Sequence, residues 1–557
     1  HVYGTAKEYG LNHYRYHTCC PPRAAFLAAS YLGIYLEAEL PFWGSLYDPG
    51  DENYNKAQQD FLLEEGLRTL DAFGDAPAFF GMSMGNELWG SREVINEMMG
   101  RMKAHDNRHL YTQGSNNHQF VPAVLPNDDF FCGVRFSRER LFRGSYAMCD
   151  APLGFVQTTE PGAYWDYDEM IVPRQIQERD AAEGKTIQIQ YSTGIREVET
   201  DGEGEVIPQV PVVSHEIGQY EFTPDFDEIV QYTGVLQPEN MKIFRERMEE
   251  KGLLPYWSDY FAASGKLAAA CYKQELEAAL RSANLSGFQL LDIKDFSGQG
   301  TALVGIFNAF MKNKGIITRE EWRMSCSDAV LLPTLSSFVM QSADRVKCVV
   351  KLRYYRPGKL VGRHVRAIWY LKRQEGGETQ YQEALTQTMS CGDVTGRGLL
   401  TLGEMELTVP ECESNAMYLL RFEFGPDIAN EYEIFVYNKE VIEKSKRAVD
   451  GGQDSAESPV LVTDDNKAAI EACKAGRSVL LFVKPGSVLP QDTVQGDYCT
   501  DFWCYPMFRS ISESAGKPVP VGTMGLLIDS THSALRGFAT ESYATAQWYQ
   551  IVIHSRP

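Results

Sequence analysis

The first 330 positions of the chain alternate between short runs with strand character and longer stretches with helical spacing. Runs at 11–17 (LNHYRYH), 34–40 (IYLEAEL), 79–84, 109–113, 128–136, 210–215 and 287–293 (GFQLLDI) predict strands. Between them, apolar residues fall three and four apart. Leu63, Leu67, Leu70 and Phe73 do so within 55–73, and Val94, Met98 and Met102 line one face of a later helix. A helix is predicted from Pro21-Pro22 through Ala29, helical sequence runs to about 284, and a further helix begins near Ala302. Strands alternating with helices predict a parallel sheet. Seven such strands are counted, one short of the eight a closed barrel requires. Residues 137–209 interrupt the rhythm with Gly, Arg, Pro and acidic clusters, and are expected to be a long insertion acting as a lid.

After about residue 328 the period changes. Runs at 346–354, 364–373, 404–409, 417–424 and 432–437 follow one another without helices between them. Leu420, Phe422 and Phe424 alternate with Arg421 and Glu423, the pattern of a half-buried strand. A β-sandwich is therefore expected over 329–442. Residues 443–458, polar and containing Gly451-Gly452, predict a linker. A βα pattern resumes with PVLVTDD, a helix at 466–475, SVLLFV and then GTMGLLID, predicting a small doubly wound α/β domain over 459–557. The expected domains are thus 1–328, 329–442 and 459–557.

Two of the strand-like runs deliver an acid at their C-terminal ends. In FFGMSMGNELWG the apolar run ends at Gly85, and Asn86 and Glu87 follow. In VPVVSHEIGQY the run ends at Glu216. Parallel α/β barrels keep their reacting groups at this end of the strands. A lone Asn-Glu pair there reads more readily as a cap for the next helix, which Ser91 and Glu93 open. Two carboxylates on two strand ends can flank a glycosidic bond as general acid and nucleophile.

Composition narrows the partners. The 557 residues carry a formal net charge of −22, which argues against a nucleic-acid binder. Aromatic content is 12%, which fills cores first and also supplies faces for sugar rings. Twelve scattered cysteines without a CxxC form neither a disulfide scaffold nor a zinc-finger pattern. No run reaches the roughly 18 apolar residues of a membrane span.

These residues resemble glycoside hydrolase family 2, the β-galactosidases, β-glucuronidases and β-mannosidases, in a divergent bacterial branch with a flavodoxin-like C-terminal domain. Asn12 and Arg15 resemble the family's Asn-x-x-Arg, GIYLEAELP its third strand ending in Glu39, Met84–Glu87 its Leu-Gly-Asn-Glu, and Pro211–Glu216 its seventh strand. The likeness spans roughly 5–330 and numbers the seven strands two to eight. It implies a (β/α)8 TIM barrel lacking its first strand, with Glu87 as acid/base and Glu216 as nucleophile of an exo-acting retaining β-glycosidase of β-galactosidase or β-glucuronidase type. His17 lies two residues after Arg15 rather than the family's three, and the 137–209 insertion is atypical.

Candidate substrate-binding residues are Asn86, Arg15, His17, Glu39, Trp43, Trp89, Trp165 and Asp295. Arg15 either orients the nucleophile or forms an interior ion pair, with Glu39 as its partner. Each Trp is either a stacking face or plain packing, and Asp295 binds a hydroxyl, caps the helix expected near Ala302, or does neither. Tyr164, Trp165 and Tyr167 are candidates for aglycone contact. His215 should face away from Glu216 if the strand alternation continues.

No cofactor and no catalytic metal are expected. His13 and His17 on one strand would lie about 13 Å apart, too far to share a zinc ion with bonds of about 2 Å. Cys504 lacks the flanking glycines of a reactive-thiol turn, which argues against an amidotransferase-like activity. The expected partner is a carbohydrate, with no nucleic acid and no membrane span. The competing reading is a non-catalytic carbohydrate-binding or scaffold protein on a glycosidase fold. The chain starts at His1 rather than Met and is expected to be an internal piece of a longer protein, which leaves its cellular location open.

Overall fold

The computed structural model describes residues 1–117, 124–134, 141–145, 153–171, 186–191, 194–199, 210–296, 299–300, 302–375, 378–450, 460–484, 496–500, 505–514, 516 and 523–555. Seven parallel strands organise the first half: β1 His13–Tyr16, β2 Tyr35–Glu39, β3 Phe79–Ser83, β4 Leu110–Thr112, β5 Phe131–Gly133, β6 Val212–Gly218 and β7 Leu285–Leu291. They pair in the orders β1-β2-β3-β4 and β7-β6-β5. Ser115, just past β4, bridges Asn86 on one side and Cys132 on the other, which carries the hydrogen bonding from one sheet to the next. Among the described residues β1 pairs only with β2 and β7 only with β6, so no ladder closes the ring.

The sheet nevertheless curls until side chains from its two ends meet. Gln289 of β7 donates to Glu37 of β2 at 2.8 Å and accepts from the thiol of Cys132 on β5 at 3.3 Å. Phe80 fills the lower end, edge-on to His13 and Tyr35. Alternation explains the two sides of the wall. On β2, Leu36 and Ala38 face outward into an apolar cluster with Met82, Leu63, Leu70 and Met99, while Glu37 and Glu39 face inward and are buried. The helix Lys56–Phe73 starts where Asn55 accepts from the Gln58 amide, and buries Leu62, Leu63 and Leu70 against this cluster. The helix Trp257–Arg281 covers β6 and β7, and its Gly265 lets Ile316 approach, since a Cβ there would lie 2.5 Å from that side chain. No helix among the described residues is long and apolar enough to cross a membrane.

The second half begins with a β-sandwich. Strands β8 Ala329–Pro333, β9 Val339–Gln341, β10 Arg345–Tyr354, β11 His364–Glu375, β12 Glu378–Ser390, β13 Gly398–Thr408, β14 Ala416–Phe424 and β15 Ile428–Tyr437 form sheets in the orders β8-β10-β13 and β9-β15-β14-β11-β12. Trp369, Leu352, Phe422 and Ile434 are fully buried between them. A buried aliphatic side chain of this kind contributes about 1.5–3 kcal/mol. Strand β12 is absent from the sequence expectation because it is an edge strand, exposed along most of its length and polar on both faces.

Several expectations are corrected. Among the described residues no helix begins near Ala302. The chain there turns back so that Phe307 bridges Lys294 and Asn313, and Asn308 accepts from the amides of Phe310 and Lys312. Such side-chain acceptors stabilise turns at the expense of helix. The expected linker begins as helix, Lys439–Asp450. Strands β16 Val460–Thr463 and β17 Ser478–Leu481 pair in parallel around the helix Asn466–Lys474, one βα unit of the expected doubly wound domain. The run at 523–529 adds no strand to it. Instead Met524 meets Thr223, and Gly525 lies against Leu267 of the long helix. Cys504 lies outside the described residues.

Within 137–209, the described residues Trp165, Tyr167 and Asp168 pack against the body of the fold rather than over the site. Tyr167 is fully buried among Phe142 and Phe155, Trp165 stacks on Phe155 at 5.0 Å, and Asp168 accepts from the amides of Ala283 and Asn284. Those amides precede β7, at the strand's N-terminal end. Of the three candidate aglycone aromatics, Trp165 and Tyr167 are thus taken up in core packing, whereas Tyr164 is 36% exposed. Residues 186–191 and 194–199 form an antiparallel pair.

Glu277 joins the long helix to the sandwich. Its carboxylate accepts from Lys273, Arg281, Ser325, Asn430 and Tyr432 at 2.5–3.1 Å. Burial raises its pKa, but the two cations and these donors outweigh that and bring it down to about 2. Glu277→Gln should cost about 3–5 kcal/mol at neutral pH, because Lys273 and Arg281 lose their shared anion. Because the folded pKa is depressed, the stabilisation is present above the unfolded value of 4.5 and disappears as pH falls toward 2. Denaturant unfolding should therefore show a gap between wild type and variant that narrows across that window.

Candidate active site

Strand β3 delivers Glu87 through a glycine turn. Gly85 has φ +138°, and a Cβ there would lie 2.4 Å from the Phe42 carbonyl oxygen, so only glycine allows this path. The Asn86 amide then donates to that carbonyl, and the Glu87 amide donates to the Ser115 carbonyl at 2.8 Å. Glu87 itself takes φ +49°. Capping of the next helix is done by Ser91, which accepts from the Val94 amide, so Glu87 is left facing the ring.

Strand β6 delivers Glu216 through a bulge. Its register against β7 shifts between Ser214 and Ile217, and Glu216 takes φ +44°. The bulge breaks the alternation that would have turned His215 away. His215 is fully buried, and its Nε2 lies 3.3 Å from Glu216 and 4.0 Å from Glu87. The expectation that His215 faces away is corrected on this ground. One side-chain atom each from Glu87, His215 and Glu216 lie within 4.8 Å of one another, so the two carboxylates face each other across one site.

Arg15 of β1 reaches the centre of this group. It donates to Glu216 at 2.9 Å and to the Asn86 side-chain oxygen at 3.0 Å, and its other nitrogen lies 3.6 Å from Glu39. That nitrogen is also 3.4 Å from His215 Nδ1. A guanidinium only donates, so Nδ1 accepts and the imidazole proton sits on Nε2, toward the carboxylates. Arg143 adds a second cation 4.0 Å from Glu216. Burial lowers the His215 pKa and keeps the ring neutral. For Glu216, burial opposes ionisation, but His215, Arg15 and Arg143 together hold it well below the usual carboxylate range.

A divalent cation held by Glu87, His215 and Glu216 would share the Glu216 carboxylate with Arg15. The fixed positive charges of Arg15 and Arg143 beside Glu216 repel a further cation there.

The remaining candidates occupy four different settings. Glu39 is buried and satisfied by the Thr18 amide at 2.7 Å, by the Ser115 hydroxyl at 2.8 Å and by Arg15. It supports the site from below. Trp43 lies on the rim with 53% of its surface exposed, edge-on to His17 at 5.6 Å. Trp89 pairs with Ser45 in a short parallel bridge next to it. Trp165 belongs to the core packing described above. Asp295 is buried and bonded to Lys314 at 2.6 Å and to the Gly305 amide at 3.0 Å, so its carboxylate is already engaged.

Sequence reasoning missed His215, Arg143 and Asn116, whose amide donates to Glu87 at 3.4 Å. Asn116 carried a usable signal, since Ser115-Asn116-Asn117 follow a strand end as Asn86-Glu87 do. Arg143 carried none, because it sits in a segment without strand or helix periodicity.

A family model described as a domain of unknown function, DUF8487, matches residues 460–557. No curated protein sequence matches the chain. Among solved structures, an FMN-binding β-glucuronidase from Facaelibacterium prausnitzii L2-6 is 12% identical with a TM-score of 0.32, over 79% of this chain and 52% of that one. A β-D-mannosidase from Dictyoglomus thermophilum is 12% identical with a TM-score of 0.43, over 78% and 47%. An exo-chitosanase from Amycolatopsis orientalis is 12% identical with a TM-score of 0.44, over 78% and 46%. The chain spans about half the length of these structures.

Proposed function

We propose that this chain is a retaining β-glycosidase that removes terminal sugars by double displacement, of β-galactosidase or β-glucuronidase type. In this reading the seven parallel strands are strands two to eight of a (β/α)8 barrel. The observation that carries the proposal is the Glu87–Glu216 pair, with side-chain atoms within 4.8 Å at the C-terminal ends of β3 and β6. Retaining enzymes hold their carboxyl groups about 5–5.5 Å apart, whereas inverting enzymes need about 6.5–9.5 Å to admit water.

Each group is suited to one role. Glu216, kept ionised, attacks the anomeric carbon while the glycosidic C–O bond breaks and Glu87 passes its proton to the leaving oxygen. Water then attacks the anomeric carbon, Glu87 takes the water's proton, and the bond to Glu216 breaks. Arg15 occupies the Asn86 side-chain oxygen, so the Asn86 amide nitrogen is left to donate to a sugar hydroxyl. Trp43 offers an exposed ring at the rim for stacking.

A panel of nitrophenyl β-glycosides tests the reading. The wild type should cleave at least one, and Glu216→Gln should abolish turnover. Glu87→Ala should lose about 10²–10⁴-fold on a poor leaving group, much less on nitrophenyl, and external azide should restore part of the rate. Sugar binding without turnover by the wild type would favour the non-catalytic scaffold instead.

The counter-charge is testable by stability. Arg15→Met leaves the buried Glu39 without its cation and Glu216 with only Arg143, 4.0 Å away, and should cost about 3–5 kcal/mol at neutral pH. Adding Glu216→Gln should restore part of that in denaturant unfolding, since one poorly paired charge is removed. In the active single variant, the Glu216 pKa rises and the acid limb of kcat/KM moves to higher pH.

A further inference from the structure

Glu275 lies on the helix Trp257–Arg281, between β6 and β7, and is 1% exposed. No strand-end rule points to it and no step of the proposed reaction uses it. Its two oxygens accept from two backbone amides that approach from different segments. Oε1 takes the Gly144 N–H at 2.5 Å, and Oε2 takes the Gly218 N–H at 2.8 Å. Gly144 directly follows Arg143, and Gly218 stands two residues after Glu216. One buried carboxylate thus ties together the segment carrying the second arginine and the bulge carrying the proposed nucleophile.

The surroundings are built for this approach. A Cβ on Gly144 would lie 2.2 Å from the Tyr220 hydroxyl, and one on Gly218 would lie 2.4 Å from the Tyr272 ring. Gly218 also takes φ +90°. Both positions hold glycine because the backbone must come within hydrogen-bond distance of a carboxylate walled by tyrosines. Burying a carboxyl group is costly, and burial pushes this one up to about 7 despite the two amides, Tyr220 and Arg143. An apolar side chain would fill the same space without that cost, but it would leave two buried N–H groups unpaired.

We propose that Glu275 is a positioning residue for the nucleophile: by stapling Gly218 to Gly144 it fixes Glu216 relative to Arg143 and to the opposing Glu87. The role in catalysis rests on the proposed glycosidase reading, while the staple itself does not. A displacement of about 1 Å at a reacting group can cost on the order of 10²-fold in rate.

The test uses the full chain with Glu275→Gln, which keeps one acceptor oxygen and replaces the other by a donor. Hydrogen exchange read by mass spectrometry should accelerate at least about tenfold in peptides covering Gly218 or Gly144, with the sandwich strands unchanged. On any glycoside the wild type cleaves, kcat should fall about 10–10²-fold while KM changes little. Unchanged protection at both glycines overturns the staple. So does loosening spread equally over the sandwich, which marks general destabilisation. Faster exchange at the glycines with unaltered kcat overturns the positioning role. If the wild type cleaves no glycoside, the functional reading fails, and the staple stands or falls on exchange alone. Should Glu275→Gln not fold, Glu275→Asp, which retracts the carboxylate by one methylene, is read by the same two measurements and the same criteria.

Discussion

The open end of the ring depends on one guanidinium. Arg15 rises from β1 and meets Glu39 from β2, Asn86 from the turn after β3, and His215 and Glu216 from β6. Three segments far apart in sequence are thereby referred to a single charge on a fourth. At an effective dielectric of about 20, a unit pair at 4 Å is worth about 4 kcal/mol, or roughly three pKa units. That is large enough to offset much of the burial of Glu216 and to help keep its carboxylate ionised, while for the neighbouring imidazole burial, with the Arg15 charge beside it, outweighs Glu216 and Glu87 and lowers its pKa. The same arginine also settles the imidazole tautomer, because it offers Nδ1 only donors.

This charge is affordable because the ring's interior is polar in layers rather than packed with branched aliphatics. Phe80 closes the floor. Above it Glu37, Gln289 and Cys132 bond across the ring, and above those Glu39 is met by the Thr18 amide and the Ser115 hydroxyl. The apolar surface that stabilises the fold therefore lies outside, under the helices, and in the separate sandwich core. The two regions are joined by another buried charge group, in which Glu277 of the long helix gathers Lys273, Arg281, Asn430 and Tyr432. In both places a charge holds elements together where apolar contact alone would not specify register.

Sequence pattern made some of this legible and not the rest, for identifiable reasons. All seven ring strands were readable because each is a short run bounded by turn residues, and Glu87 and Glu216 were readable because they end such runs. His215 was misplaced because period-two alternation fails at a bulge, and nothing in SHEIG announces one. The helix expected near Ala302 is replaced by a turn in which Asn308 and Asn313 act through side-chain hydrogen bonds that periodicity ignores. Strand β12 was invisible because an exposed edge has no buried face to pattern. Arg143 and Glu275 reach the site through contacts between distant segments, which a local reading cannot contain.

The two acids share a further property that bears on how their separation is set. Glu87 and Glu216 both take positive φ, +49° and +44°, a region that non-glycine residues seldom occupy and that costs on the order of 1–3 kcal/mol each. Each is held there by backbone bonds. The Glu87 amide donates to Ser115, and the Glu216 carbonyl accepts from the Gln219 side chain at 2.6 Å. A residue forced into the left-handed region turns its side chain off the strand axis, so at both tips the carboxylate is aimed across the opening by the main chain. The spacing between them is therefore a property of two bent strand ends and their anchors rather than of side-chain rotamers. Electrostatics then acts on groups already in place, with His215, Arg15 and Arg143 holding Glu216 ionised where the main chain has set it.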